Sequence, residues 1–238
     1  MKHRLYLAEP LNQDTTILLD RDRTHYLLRV LRLRSGQDIL VFNGDGTQWQ
    51  AEVEATDSRA CTLHIVTKHS EKPLPSPLVL AQAWLKGSAM DTVVEKATEL
   101  GATDIQLLYT QRVNVALNHT RIESKLNHFR KIAQSAAEQS GRLYVPGVHP
   151  PVQLAQALAG GHPTDRFFLD LDQPAIDPGK TPRPLELFVG PEGGWTEDER
   201  QLAVTLGATL CGLGEITLRA ETAPLAALAA IRHSWAWR

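Results

Sequence analysis

Two glycine-bearing segments near the C-terminus hold the residues best suited to chemistry. The first is Gly190-Pro191-Glu192-Gly193-Gly194-Trp195. Glycine at three of its six positions lets backbone approach a ligand closely, while Pro191 stiffens the turn. The second runs Leu213-Gly214-Glu215-Ile216-Thr217-Leu218-Arg219-Ala220-Glu221-Thr222-Ala223. It sets one guanidinium, Arg219, and one carboxylate, Glu221, just before a helix-like apolar stretch. A guanidinium can stabilise negative charge that develops during a reaction, and a carboxylate can take a proton. Each segment also has a plainer reading. The first can be a tight strand-to-helix turn, and the second a capped helix whose Arg219–Glu221 pair shapes a loop. If both follow neighbouring strands they converge on one place, and that favours a ligand pocket.

Other chemistries do not fit. There is no G-x-x-x-x-G-K-[ST] phosphate loop, and Gly212-Leu213-Gly214 is not extended to a dinucleotide fingerprint because Thr217 stands at the third glycine position. The histidines are scattered, and His25, His64 and His233 fall within periodic segments, so no metal site is expected. No G-x-S-x-G elbow or cysteine-nucleophile context is present. Cys61 and Cys211 lie far apart in apolar surroundings and read as buried filler, in keeping with a reducing cytoplasm.

The chain of 238 residues, 42% hydrophobic and 22% charged, suits one large or two small globular domains. No apolar run approaches the roughly 20 residues that cross a bilayer, and the start, Met1-Lys2-His3-Arg4-Leu5-Tyr6, lacks a secretory pattern. The net charge of −2 does not by itself suggest nucleic acid. Its distribution says more. Arg21, Arg23, Arg29, Arg32 and Arg34 face a single acid, Asp22, and the six cations from Arg112 to Arg142 face Glu123 and Glu138. Such patches can neutralise phosphates, or can be ordinary solvated helix faces.

These residues need elements to position them, and two periods divide the chain. Leu5–Leu7, Thr15–Leu19, Asp38–Phe42, Thr47–Ala55 and Cys61–Thr67 read as short strands, with a hairpin turn at Asn43-Gly44-Asp45-Gly46 and one helix from Asp22 to Leu33. The alternating prolines of Glu71-Lys72-Pro73-Leu74-Pro75-Ser76-Pro77 mark a boundary, giving units 1–72 and 73–238. Beyond it, strands at Leu78–Leu85, Ile105–Tyr109, Phe167–Leu171, Leu185–Val189 and Ala208–Leu213 alternate with helices. The helices start at Ser88, Arg121, Thr196 (a capping box with Glu199) and Thr222. That order implies an α/β unit with a mostly parallel sheet.

Taken in order, the chain resembles the RsmE family, methyltransferases that modify N3 of a uridine in small-subunit ribosomal RNA, within the SPOUT superfamily. The resemblance rests on Arg4-Leu5-Tyr6, His25-Tyr26, Val30-Leu31-Arg32, Lys86, Glu95-Lys96-Ala97-Thr98-Glu99-Leu100-Gly101 and Arg112. It continues through Glu138-Gln139-Ser140-Gly141-Arg142, Val145-Pro146, Gly190–Gly194 and Leu218-Arg219-x-Glu221-Thr222-Ala223. It implies a PUA-like β-barrel for RNA binding, an α/β domain with a deep trefoil knot, and a homodimer whose sites use both chains. It also implies S-adenosylmethionine held by Leu169, Leu171, Gly190, Pro191, Glu192, Gly193, Leu213, Gly214, Leu218, Thr222 and Ala223. On the same footing Arg219 is the first choice to stabilise the uracil anion, with Glu221 and then Glu138 as proton acceptors. Arg29, Arg32, Arg34, Lys86, Arg112 and Arg142 would guide the phosphates of 16S ribosomal RNA, naked or in the assembled subunit. The chain departs from the pattern at Ile216, Thr217 and Ala220, which removes a charge and a hydroxyl near the pocket. A related enzyme acting at another RNA position, or a catalytically silent RNA-binding module, would share much of this sequence.

Overall fold

The structure, a computed structural model, describes residues 3–57, 60–73, 75–113, 119–160 and 165–236. Its contacts fall into two compact units, Met1–Leu74 with Ala137–Val145, and Pro75–Ala136 with Pro146–Arg238. The sequence division at 72/73 lies close to the first break but does not foresee that residues 137–145 belong with the N-terminal unit. Long-range hydrogen bonding explains that membership. The Arg4 guanidinium donates to the carbonyls of Ala137, Glu138 and Arg142.

The N-terminal unit is a curled five-stranded sheet: β1 (Arg4–Tyr6), β2 (Thr16–Leu18), β3 (Asp38–Phe42), β4 (Thr47–Asp57) and β5 (Ala60–Glu71), in the order β1-β3-β4-β5-β2. Only β1 and β3 pair in parallel. The β3–β4 hairpin closes on Gly44 and Gly46 with φ of 89° and 95°, where a side chain would be strained. The inward residues of alternate positions, Ile39, Val41, Ala51, Val53, Leu63 and Ile65, are sealed from solvent. The expected helix is shorter than its periodicity suggested. An α-helical turn, α1 (Arg21–His25), capped by the Asp20 side chain, widens into a π-helical turn at Tyr26–Val30. The wider turn keeps Leu27, Leu28, Leu31 and Leu33 on the core while Arg29, Arg32 and Arg34 stay outside it. It closes with Arg32 at φ 57°, a left-handed position that costs a non-glycine residue about 1 kcal/mol.

The second unit carries β6 (Leu78–Ala83), α2 (Ala89–Glu99), β7 (Asp104–Tyr109), α3 (His119–Ser140, whose last four residues count with the first unit), β8 (Gly147–Gln153), α4 (Leu154–Ala159) and β9 (Asp165–Leu169). β10 (Leu185–Val189), α5 (Glu197–Thr205), β11 (Thr209–Cys211) and α6 (Thr222–Ser234) follow. The six strands form one parallel sheet, β11-β9-β10-β6-β7-β8. Its inner strands are almost wholly apolar, as burial on both faces requires; Leu80, Ala83, Ile105, Leu107, Phe168 and Leu187 are inaccessible. β8 and α4 were not foreseen. Pro150 and Pro151 argue against a strand, yet β8 is an edge with one neighbour, where missing N–H groups are tolerated. α4 has six residues, too few to show a period. Among the described residues no helix is long and apolar enough to cross a membrane.

Candidate active site

The register of three adjacent strands builds the site. Val189 at the end of β10 pairs with Leu169 at the end of β9, which pairs with Cys211 at the end of β11. The loops that follow therefore leave the sheet at one level, at the carboxyl edge where parallel sheets bind ligands. They enclose a pocket of about 280 Å³ lined by Leu169, Asp170, Leu171, Gly190–Trp195, Leu213, Leu218 and Ala223 among others.

Each wall has a local cause. Gly190–Gly194 turns on itself, with Gly194 N–H donating to the Pro191 carbonyl at 2.9 Å. The loop is held from outside as well. Gln82 Nε2 donates to the Gly190 carbonyl at 3.3 Å, Lys86 N–H to Glu192 Oε1 at 3.0 Å, and Arg112 Nη1 to the Gly193 carbonyl at 2.6 Å. A side chain at Gly190 would stand 3.1 Å from the Trp195 ring. That ring is 1% exposed, packs on Phe168 at 4.2 Å between centroids, and donates through Nε1 to the Leu169 carbonyl at 2.9 Å. On the other side, Gly212 N–H donates to the Pro174 carbonyl at 2.7 Å and its own carbonyl accepts from Ile176 N–H at 3.0 Å. A Cβ on Gly212 would lie 2.6 Å from the Gln173 carbonyl oxygen, so the chain passes here only as glycine.

The electrostatics are uneven. Asp170, whose side chain is 6% exposed, is ion-paired with Arg200, which also lies 3.5 Å from Glu197. The Asp170 contact raises the Arg200 pKa above its ordinary value. Glu192 faces the pocket with no cation in salt-bridge range among the described residues. Burial pushes the Cys211 thiol up to about 12, which fits inert packing and not nucleophilic use. Among the described residues, no cluster of three or more His, Cys, Asp or Glu could hold a metal ion.

Of the residues expected to hold a cofactor, Leu169, Leu171, Gly190, Pro191, Glu192, Gly193, Leu213, Gly214, Leu218 and Ala223 line the pocket, and Thr222 does not. Arg219 and Glu221 flank the lining residue Ala220 without lining the pocket themselves. The Arg219 side chain is 86% exposed and 3.9 Å from Glu221. Glu138 belongs to the first unit, where its Oε1 accepts from Tyr6 N–H at 2.7 Å. Burial raises its pKa, against the opposing Tyr6 N–H and Arg4. Of the proposed phosphate guides, Arg29, Arg32, Arg34 and Arg142 are in the first unit, while Lys86 and Arg112 are at the Gly190–Gly194 loop. Sequence reasoning missed Asp170 and Arg200, and gave Trp195 no part beyond closing the glycine loop. Trp195 follows the glycine loop directly and its part could have been found; the Asp170–Arg200 pair joins elements 30 residues apart and carries no local signal.

Known proteins resemble this chain along nearly its whole length. The RNA methyltransferase domain family matches residues 72–232, and the RNA methyltransferase PUA domain family matches residues 19–66. A ribosomal RNA small subunit methyltransferase E from Synechocystis is 35% identical over 97% of this chain and 77% of its own length. The Bacillus subtilis protein of that name is 29% identical over 94% of this chain and 93% of its own. Among solved structures, the Neisseria gonorrhoeae ribosomal RNA small subunit methyltransferase E bound to S-adenosyl methionine superimposes with a TM-score of 0.91 at 32% identity, covering 99% of this chain and 98% of its own. A Legionella pneumophila protein in complex with the same cofactor gives 0.92 at 27% identity, covering 98% of each chain.

Proposed function

The chain belongs to the family of ribosomal RNA small subunit methyltransferase E, an RNA methyltransferase family, and on that premise we propose that it transfers a methyl group from S-adenosylmethionine to N3 of a uridine in 16S ribosomal RNA. The observation that carries this reading is the pocket at the carboxyl edge of β9, β10 and β11, at the strand ends where a parallel sheet offers backbone groups to a ligand. Its residues suit that cofactor. Leu169, Leu171, Leu213 and Leu218 would offer apolar surface to a purine ring, glycine backbone would offer close N–H and C=O groups, and Glu192 would bring a carboxylate to a cationic cofactor.

When bound, the sulfonium supplies an activated methyl group. The chain must then place N3 in line with that methyl and manage the N3 proton. Arg219 stabilises the charge that spreads onto the uracil oxygens, and Glu221 is the first choice to accept the proton, ahead of Glu138. Arg219 and Glu221 stand one residue either side of the lining residue Ala220. N3 is blocked by pairing in a duplex, so the target uridine is unpaired or flipped out. Arg29, Arg32, Arg34, Lys86, Arg112 and Arg142 hold phosphates, which orients RNA without reading its sequence.

The same reading makes residues 1–72 a PUA-like RNA-binding domain and 73–238 the methyltransferase domain, with a trefoil knot, working as a homodimer in the cytoplasm. Mass spectrometry of small-subunit ribosomal RNA from a deletion strain tests the activity. Loss of one 3-methyluridine, restored by the intact gene, is expected; unchanged 3-methyluridine would overturn the assignment.

A further inference from the structure

Glu199 is a carboxylate buried to 4% exposure with no cation in salt-bridge range among the described residues. Its Oε2 completes the helix cap of α5, accepting from Thr196 N–H at 2.8 Å and from the Thr196 hydroxyl at 3.2 Å. A capping box needs no more than this. The second oxygen goes elsewhere: Oε1 accepts from the backbone N–H of Gln111 at 2.8 Å, across 88 residues of sequence. Gln111 follows β7 and precedes Arg112, whose Nη1 donates to the Gly193 carbonyl at 2.6 Å. The stem of Arg112 also lies close to Gly193, where an added Cβ would be 3.3 Å from that of Arg112.

A buried carboxyl group is costly unless its oxygens find partners, and this one is held in place by both sets of donors. We propose that Glu199 is a positioning residue: by anchoring the Gln111 backbone it sets Arg112 against Gly193, and so fixes the Gly190–Gly194 wall of the pocket. Glu199 touches neither cofactor nor substrate and acts through Arg112. This rests on the reading of the pocket as an S-adenosylmethionine site and adds to it a strut joining the β7 loop, the α5 cap and the glycine loop. A single-oxygen cap would leave the Gln111 N–H without this acceptor. The two-oxygen arrangement makes the wall preorganised, which favours affinity by cutting the ordering cost of binding.

A double-mutant cycle tests this on the full chain, with calorimetric titration of S-adenosylmethionine and a thermal melt for every variant. Glu199→Gln replaces one acceptor oxygen by a donor, and Arg112→Ala removes the guanidinium. Each alone should weaken the cofactor about 10-fold, as lost preorganisation of the wall would. Together they should also weaken it about 10-fold, because the two act in series. Thr196→Ala breaks the cap but leaves the Gln111 contact; it should lower the melting temperature while holding affinity within about twofold of the native value. The proposal fails if Glu199→Gln leaves affinity within twofold, if the two losses multiply, or if Thr196→Ala weakens binding as much as Glu199→Gln. No binding by the unaltered chain would instead remove the cofactor reading, and this inference with it.

Discussion

An arginine–carboxylate pair sits beside each of two loops at the carboxyl edge of the sheet, and the two pairs are treated differently. After β9, Asp170 has only 6% of its side chain exposed and is paired with Arg200, itself 31% exposed. After β11, Arg219 and Glu221 are 86% and 29% exposed, and their nearest charged atoms are 3.9 Å apart. The residue types match, but desolvation does not. A pair taken out of water is costly to break, while one left in water contributes little to stability. Both members of the first pair line the pocket. The second leaves its guanidinium in solvent, next in sequence to the lining residue Ala220.

The sharpest way to break this comparison is Arg219→Ala. If the exposed guanidinium stabilises the uracil anion, turnover should fall about 100-fold, equivalent to about 2.7 kcal/mol of transition-state stabilisation. Cofactor affinity and melting temperature should hardly move, since Arg219 lines no part of the pocket. A methyl-transfer assay on small-subunit RNA, paired with cofactor titration, separates the two. Loss of cofactor affinity would give Arg219 a structural part and make the two pairs alike.

Asp170→Asn probes the other member. It leaves the Arg200 guanidinium without its buried partner, and the fold should lose about 2 kcal/mol. That is below the roughly 3–5 kcal/mol of a wholly buried pair, because Arg200 keeps part of its surface in water. Chemical denaturation of the native chain and the Asp170→Asn variant measures it, and a change below about 0.5 kcal/mol would show that the Asp170–Arg200 pair does not hold the fold.

Much of this arrangement is legible in the sequence because it is local. The Thr196–Glu199 capping box, the Asn43–Gly46 hairpin, β10 at Leu185–Val189 and the glycine loop are each set by residues a few places apart. What is not legible depends on partners brought together by topology. Nothing near Asp170 in sequence announces Arg200, and nothing near Glu199 announces Gln111. Gly212 looks like part of a failed dinucleotide motif until the chain at Gln173 is found 2.6 Å from where its Cβ would be. Glu138, a plausible base by type, proves to be engaged with Tyr6 and Arg4, a pairing that no spacing rule contains. The strand order that joins β11 to β9 likewise follows from long-range pairing and not from any local pattern.

The smallest expected effect is the most exacting test of the open pair. Glu221→Gln removes the charge that faces Arg219 while keeping the side chain's size. A pair at 3.9 Å with one partner 86% exposed gains little Coulomb energy in water, and salt screens what there is. The substitution should therefore change unfolding free energy by less than about 0.5 kcal/mol, both at low salt and at about 1 M, where the screening length falls to roughly 3 Å. Turnover should nevertheless drop if Glu221 takes the N3 proton, by about 100-fold or more for a lost general base. Stability held constant while turnover falls would place Glu221 with the side chains spent on substrate. A loss above about 1 kcal/mol that high salt abolishes would instead mean that the pair holds its own loop, and the contrast between the two loops would disappear.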